Sequence, residues 1–268
     1  TLDLSSAPAD APFVPDPRPE VPELPAAAVP VSPVDAYDKI ASPVPVDLAD
    51  GRFLVSIGRN VSGRPQETRG RIYLVSLTGR KSELVWDHPR AVHVWDHDPA
   101  TGRTLIVDNL DQFQRGGELV MVQGMAEGKA SPLYRRTLPG AGRPGFAPQV
   151  EWARLLSGSH AAAVVNGVLH VWDLPAAKLV YRVEKVSARE PPVFSGNQLI
   201  MAIPQSGRVV LVETASGTIR RSIPTGSTLT PGAAFNPSGR LLAICFSNQY
   251  LVWDSVADKA VSQATTTE

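Results

Sequence analysis

The chain has one cysteine, Cys245, among its 268 residues. This excludes an intrachain disulfide and any zinc or iron–sulfur centre built on several thiolates. Aromatic residues are sparse, at 6% of the chain. No apolar run reaches the roughly 18 residues that a membrane-spanning helix needs, so no membrane insertion is expected of this chain. Net charge is missing too, because 26 acidic residues offset 26 basic ones. Without a basic excess, nucleic acid is not the expected partner. No Walker A sequence is found, which excludes that phosphate-cradling loop. No signal-type pattern opens the chain, and Thr1 stands where an initiator methionine would. Together these point to a trimmed or fragment boundary.

What is present is unevenly spread. Residues 1–50 hold nine acids against Arg18 and Lys39, a net of −7, so the remainder carries +7 and the neutral total is a cancellation. The same 50 residues hold 11 of the 25 prolines and no glycine. Proline fixes φ and lacks an N–H, so the stretch from Pro8 to Pro33 cannot supply a regular ladder of donors. It reads as an extended, polyproline-II-like linker or tail, and residues 1–43 are expected to be disordered. A proline-rich docking peptide is the rival reading, although no PxxP with a flanking arginine recurs.

From Ala49 onward, short runs of Val, Leu and Ile alternate with Gly, Asn, Asp, Pro and Ser, and no helical apolar period persists. The runs repeat. Val168–Val180 reads VLHVWDLPAAKLV and Tyr250–Val261 reads YLVWDSVADKAV; Val209–Ile219 is a third copy with Glu213 in the Asp position. Two weaker copies lie upstream. The equivalent positions are Ser76, Gln123, Asp173, Glu213 and Asp254, spaced by 47, 50, 40 and 41 residues. Each unit is preceded by a strand pair, clearest around Asn236-Pro237-Ser238-Gly239. Asn166-Gly167 and Ser206-Gly207 supply tight turns between the second and third strands.

Strand, Pro-x-Gly turn, strand, hairpin, strand ending in Trp-Asp, strand: this order resembles the WD40 repeat, over roughly residues 44–263. The resemblance implies an all-β fold, a β-propeller of four-stranded antiparallel blades, with about five recognisable repeats and a short tail at 264–268. Both a closed ring of five blades and an incomplete ring of seven, the family's usual number, are compatible with the count. Stacked blades bury each other's faces, which a lone sheet cannot do. Trp172 and Trp253 are expected to pack between blades, and Cys245 to be a buried small hydrophobe.

Candidate chemistry is thin. His88, His93 and His97 sit among Asp87, Asp96 and Asp98, but in a strand the odd spacing from 88 to 93 sends those two side chains to opposite faces. Asp108, Asp111 and Glu118 are a weak calcium pattern. Ser157-Gly158-Ser159-His160 lacks an elbow and an orienting acid. No cofactor and no catalytic residue is expected.

The two early units carry long second-to-third-strand segments, Arg59–Arg69 and Asn109–Gly117. A long connection, Tyr134–Pro148, follows on the same side of the implied propeller. They bring Arg59, Arg64, Arg69, Arg115, Arg135, Arg136 and Arg143 together with Phe113. Arginine suits bidentate recognition of carboxylate and phosphate, and loops on a rigid scaffold concentrate function. The expected function is a non-catalytic protein–protein interaction scaffold that binds an acidic or phosphate-bearing partner segment. The alternatives are an enzyme or small-ligand propeller with a central-channel site, and a sensor or stalk domain of a larger protein.

Overall fold

The computed structural model describes residues 38–41, 43–59, 69–110, 117–140, 148–187 and 189–265. Aliphatic and β-branched runs, punctuated by turn residues, form five antiparallel sheets. The first sheet holds β1 (Asp38–Ile40), β2 (Val44–Asp47), β3 (Arg52–Arg59), β4 (Arg69–Ser76) and β5 (Lys81–His88). The second holds β6 (Ala91–Asp98), β7 (Arg103–Leu110), β8 (Glu118–Gln123) and β9 (Ser131–Thr137). The third holds β10 (Val150–Leu156), β11 (His160–Val165), β12 (Val168–Asp173) and β13 (Lys178–Val183). In the fourth are β14 (Val193–Phe194), β15 (Ile200–Gln205), β16 (Arg208–Glu213) and β17 (Ile219–Pro224). The fifth is β18 (Gly232–Phe235), β19 (Leu241–Phe246), β20 (Gln249–Asp254) and β21 (Lys259–Thr265). Four sheets are plain four-stranded meanders; in the first, β1 and β2 lie end to end along one edge of β3.

The sequence repeat is visible in the backbone. Ser76, Gln123, Asp173, Glu213 and Asp254 each end the third strand of their sheet. In the last four sheets a β-bulge falls one residue before that position, at Met121/Val122, Val171/Trp172, Leu211/Val212 and Val252/Trp253. Four residues after it, Arg80, Ala177, Gly217 and Asp258 all take positive φ. The short polar side chain at this position closes the turn. Ser76 Oγ accepts from Gly79 N at 3.0 Å, Asp173 Oδ1 from Ala176 N at 3.0 Å, and Asp254 Oδ1 from Ala257 N at 2.9 Å. The aspartates of Trp172-Asp173 and Trp253-Asp254 are thus turn anchors, which a leucine at the same place would not be.

Four apolar layers join consecutive sheets. Leu54 and Ile72 meet Ile106 and Val120 between the first and second sheets. Leu105 and Met121 meet Ala163 and Trp172 between the second and third. Leu169 and Val171 meet Met201 and Val212 between the third and fourth. Ala202 and Leu211 meet Leu242 and Ile244 between the fourth and fifth. The middle strands are covered on both faces, which is why β11 and β15 read as unbroken apolar runs. Each fully buried aliphatic side chain contributes about 1.5–3 kcal/mol. Trp172 packs into its layer and Trp253 against the next but one, as the repeat implied. Among the described residues, no such layer joins the fifth sheet to the first.

Neighbouring sheets approach where β6 meets β3 of the first sheet and β10 of the third, and where β14 meets β18. Edge N–H groups there would lack ladder partners, so side chains from the preceding sheet accept from them. Ser56 Oγ accepts from Val94 N at 3.1 Å, and Asp96 Oδ2 from Leu155 N at 2.8 Å. Fourth strands, by contrast, are largely exposed.

Three expectations need correcting. Asp38–Ile40, read as part of the proline-rich tail, is a strand paired with β3; Arg71 Nη2 reaches Asp38 at 2.9 Å across the sheet. Tyr134–Thr137, read as a connection, belongs to β9. An outer strand with only Tyr134 and Arg136 half-buried carries too little apolar pattern to show in sequence. Cys245 is exposed rather than buried. It lies on the face of the fifth sheet that points away from the fourth.

Candidate interaction face

In a meander the hairpin joining second and third strands and the exit from the fourth strand fall at the same end. The register makes this concrete. Asp108 pairs with Glu118 and Glu118 with Thr137; Gln205 pairs with Arg208 and Arg208 with Pro224. Hairpins and inter-sheet connections therefore share one end of every sheet, and of the arginines singled out in the sequence Arg59, Arg69 and Arg135 lie near that end.

Arg59 and Arg69 face each other as the last pair of the β3–β4 ladder. Arg69 forks onto Asp87, with Nε to Oδ1 at 2.8 Å and Nη2 to Oδ2. The hydrogen bond from Arg69 holds the Asp87 carboxyl below its usual range. On β9, Arg135 Nη1 donates to Asp108 Oδ2 at 3.2 Å and to Glu118 Oε2 at 2.9 Å. His88 Nδ1 lies 3.2 Å from the other oxygen of Asp108, a carboxylate that is itself buried. Arg136 turns away from this cluster and donates to Leu174 O on the third sheet, tying two sheets together. Arg64, Phe113, Arg115 and Arg143 lie outside the described residues.

Asp108 and Glu118, weighed in sequence as calcium ligands with Asp111, are cross-strand neighbours that share Arg135 as their counter-ion. The spacing of ten residues gave no hint of this, because the intervening segment doubles back. The three histidines go to three different neighbours. His88 ends β5 beside Asp108, while His93 stacks on Trp95 with ring centroids 4.5 Å apart. His97 Nδ1 sits 2.9 Å from Thr104 Oγ1. His93 and His97 are shifted down by burial, His93 to about 4. Ser159 Oγ accepts from Arg103 at 2.5 Å, and His160 Nδ1 lies 3.2 Å from the Ser157 carbonyl.

At the opposite end of the first strands is a groove of about 400 Å³ lined by Asp96, Asp98, Arg154, Ser157, Asn197 and Gln198. Burial pushes the Asp96 carboxyl up, opposed by the Leu155 N–H and by Arg154, whose Nε is 4.0 Å away. Arg154 also lies over the Phe194 ring, 5.1 Å from its centroid. In the sequence Asp96 and Asp98 stood out beside the histidines and Ser157 in a serine run, but nothing there joined them to Arg154, Asn197 and Gln198, which come from other strands and turns.

No protein-family model matches the chain, and no curated protein matches it.

Proposed function

We propose that the chain is a non-catalytic interaction platform, a WD40-like β-propeller whose hairpin-end rim binds an acidic or phosphate-bearing segment of a partner protein. Radial placement of the sheets is supported by the approach of β6 to β3 and β10 and of β14 to β18, while fourth strands stay exposed. The observation that carries the reading is the gathering of hairpins and inter-sheet connections at one end, with Arg59, Arg69 and Arg135 there and Arg69 and Arg135 oriented by internal carboxylates. Pre-ordered arginines lose less entropy on meeting a partner. Asp87, Asp108 and Glu118 lower the net positive charge of this rim, and the partner's contacts are expected on Arg59, Arg64 and Arg115 as well.

The test is charge reversal. Arg59→Glu, Arg64→Glu and Arg115→Glu together weaken capture of a phosphoserine-containing acidic peptide about tenfold or more, roughly the cost of one lost charge-assisted contact. Thermal melting serves as the fold control. Unchanged capture by a folded triple variant removes the rim from the function. A second reading, a small-ligand site on the first strands, is favoured by the half-buried Asp96 beside Arg154.

A further inference from the structure

At the hairpin end, where the third, fourth and fifth sheets meet, lies a groove of about 490 Å³. Lys185 and Ser187 of the β13–β14 connection form one wall, the β15–β16 hairpin another, and Thr230 before β18 the third. Its charged lining is Lys185 and Arg208, with no carboxylate among the lining residues. Two other grooves carry more acids than bases. One sets Asp50, Glu83 and Glu127 against Arg52 and Lys81, and the Asp96 groove sets two acids against Arg154.

Arg208 is held for use. The buried Gln205 accepts from Arg208 Nε at 3.0 Å and donates its own amide to Glu184 O at 2.8 Å. The guanidinium is thus fixed at Nε, and its two terminal nitrogens have no protein partner among the described residues. Lys185 forms no ion pair among them either. It stands at φ +61°, and the following residue is pinned by Val186 N to Gly167 O at 2.9 Å. Ser187 Oγ accepts from Arg189 N at 3.2 Å, which leaves its proton free to donate. The nearby acids are turned elsewhere: Glu184 pairs with Arg182 at 3.7 Å, and Glu190 lies against Gly232.

A forked guanidinium, an ammonium and hydroxyl donors around one recess match a tetrahedral oxyanion. We infer that this groove binds a phosphate monoester through Arg208, Lys185, Ser187 and Thr230, with Gln205 as the positioning residue. It rests on the proposed function for its source, a phosphorylated side chain of the protein partner, and it adds a locus on the later sheets to the rim of the first two.

Titration of the full chain with inorganic phosphate and with O-phosphoserine at constant ionic strength, followed by calorimetry and amide shifts, tests this. Saturable one-to-one binding is expected, with shifts centred on Ser187, Gly207 and Arg208. Arg208→Gln or Lys185→Gln each weakens it about tenfold or more. Gln205→Ala weakens it less and Lys259→Gln, on the distant β21, leaves it unchanged. Serine does not bind. Absence of saturable binding, or wild-type affinity in a folded Arg208→Gln chain, overturns the assignment. Rim charge reversal is read separately by peptide capture: phosphate binding without a rim effect refutes the rim alone, and the converse refutes the groove alone.

Discussion

The phenol of Tyr181 donates to the carbonyl of Thr214 at 2.8 Å, carrying a hydrogen bond from the third sheet into the turn of the fourth. The same ring lies beneath Gly217, where an added Cβ would stand 2.4 Å from it. Gly217 also has φ +73°. Both facts oppose any side chain there. Gly217→Ala is expected to destabilise the chain by about 2–4 kcal/mol, from left-handed strain plus overpacking. Tyr181→Phe, which removes only the hydrogen bond, costs about 1 kcal/mol. Denaturant midpoints of the two variants check the order.

Arg240 meets Asp254 at 2.7 Å, and the N–H groups of Val256 and Ala257 reach the other oxygen. Chiefly through the Arg240 hydrogen bond, the Asp254 carboxyl is held at about 2. Its folded value lies below its unfolded one, so its contribution to stability is complete above the ordinary carboxylate range and disappears as pH falls through about 2. Asp254→Asn is expected to flatten the acid limb of a stability-versus-pH curve, measured by urea unfolding.

His93 acts in the same direction as Asp254, but in a window at higher pH. Burial pushes it down to about 4, so between its ordinary value and about 4 the unfolded chain takes up a proton that the folded chain refuses. Stability therefore rises with pH across that window and levels off above it. His97 and His170 are shifted the same way by burial. His93→Phe should reduce the slope without abolishing it, and a slope unchanged in the folded variant would contradict this assignment.

Residues 1–37 hold six acids against Arg18, opposite in net sign to the rest of the chain. A deletion of this acidic segment must stop at residue 37, because Asp38 is bound to Arg71. Deleting residues 1–37 is expected to tighten binding of an acidic peptide at low salt and to have little effect near 0.5 M salt, where the screening length is only a few ångströms. Equal affinities with and without the tail at low salt would separate tail from rim.

The parts of the fold legible in sequence were those where local chemistry and packing agree. Trp172-Asp173 and Trp253-Asp254 showed because one residue fills an inter-sheet layer and the next closes a turn. Asn166-Gly167 showed because both residues take positive φ. Outer strands such as β9 escaped because solvent sets their composition. The first strand β14 escaped because two residues carry no period. At the site, arginine-rich segments were visible, but their partners were not. Asp108 meets His88 and Arg135 only once three strands are in register. The Lys185–Arg208 groove joins two segments from different sheets, and neither is unusual by itself.

The interaction platform itself is tested most directly by a hydrogen-exchange footprint of a phosphoserine-containing acidic peptide on the full chain. Protection is expected at the hairpin end, in the β3–β4 and β7–β8 ladders near Arg59, Arg69 and Glu118. Protection confined to the opposite end, at the turns following Ser76 and Asp98, would contradict it.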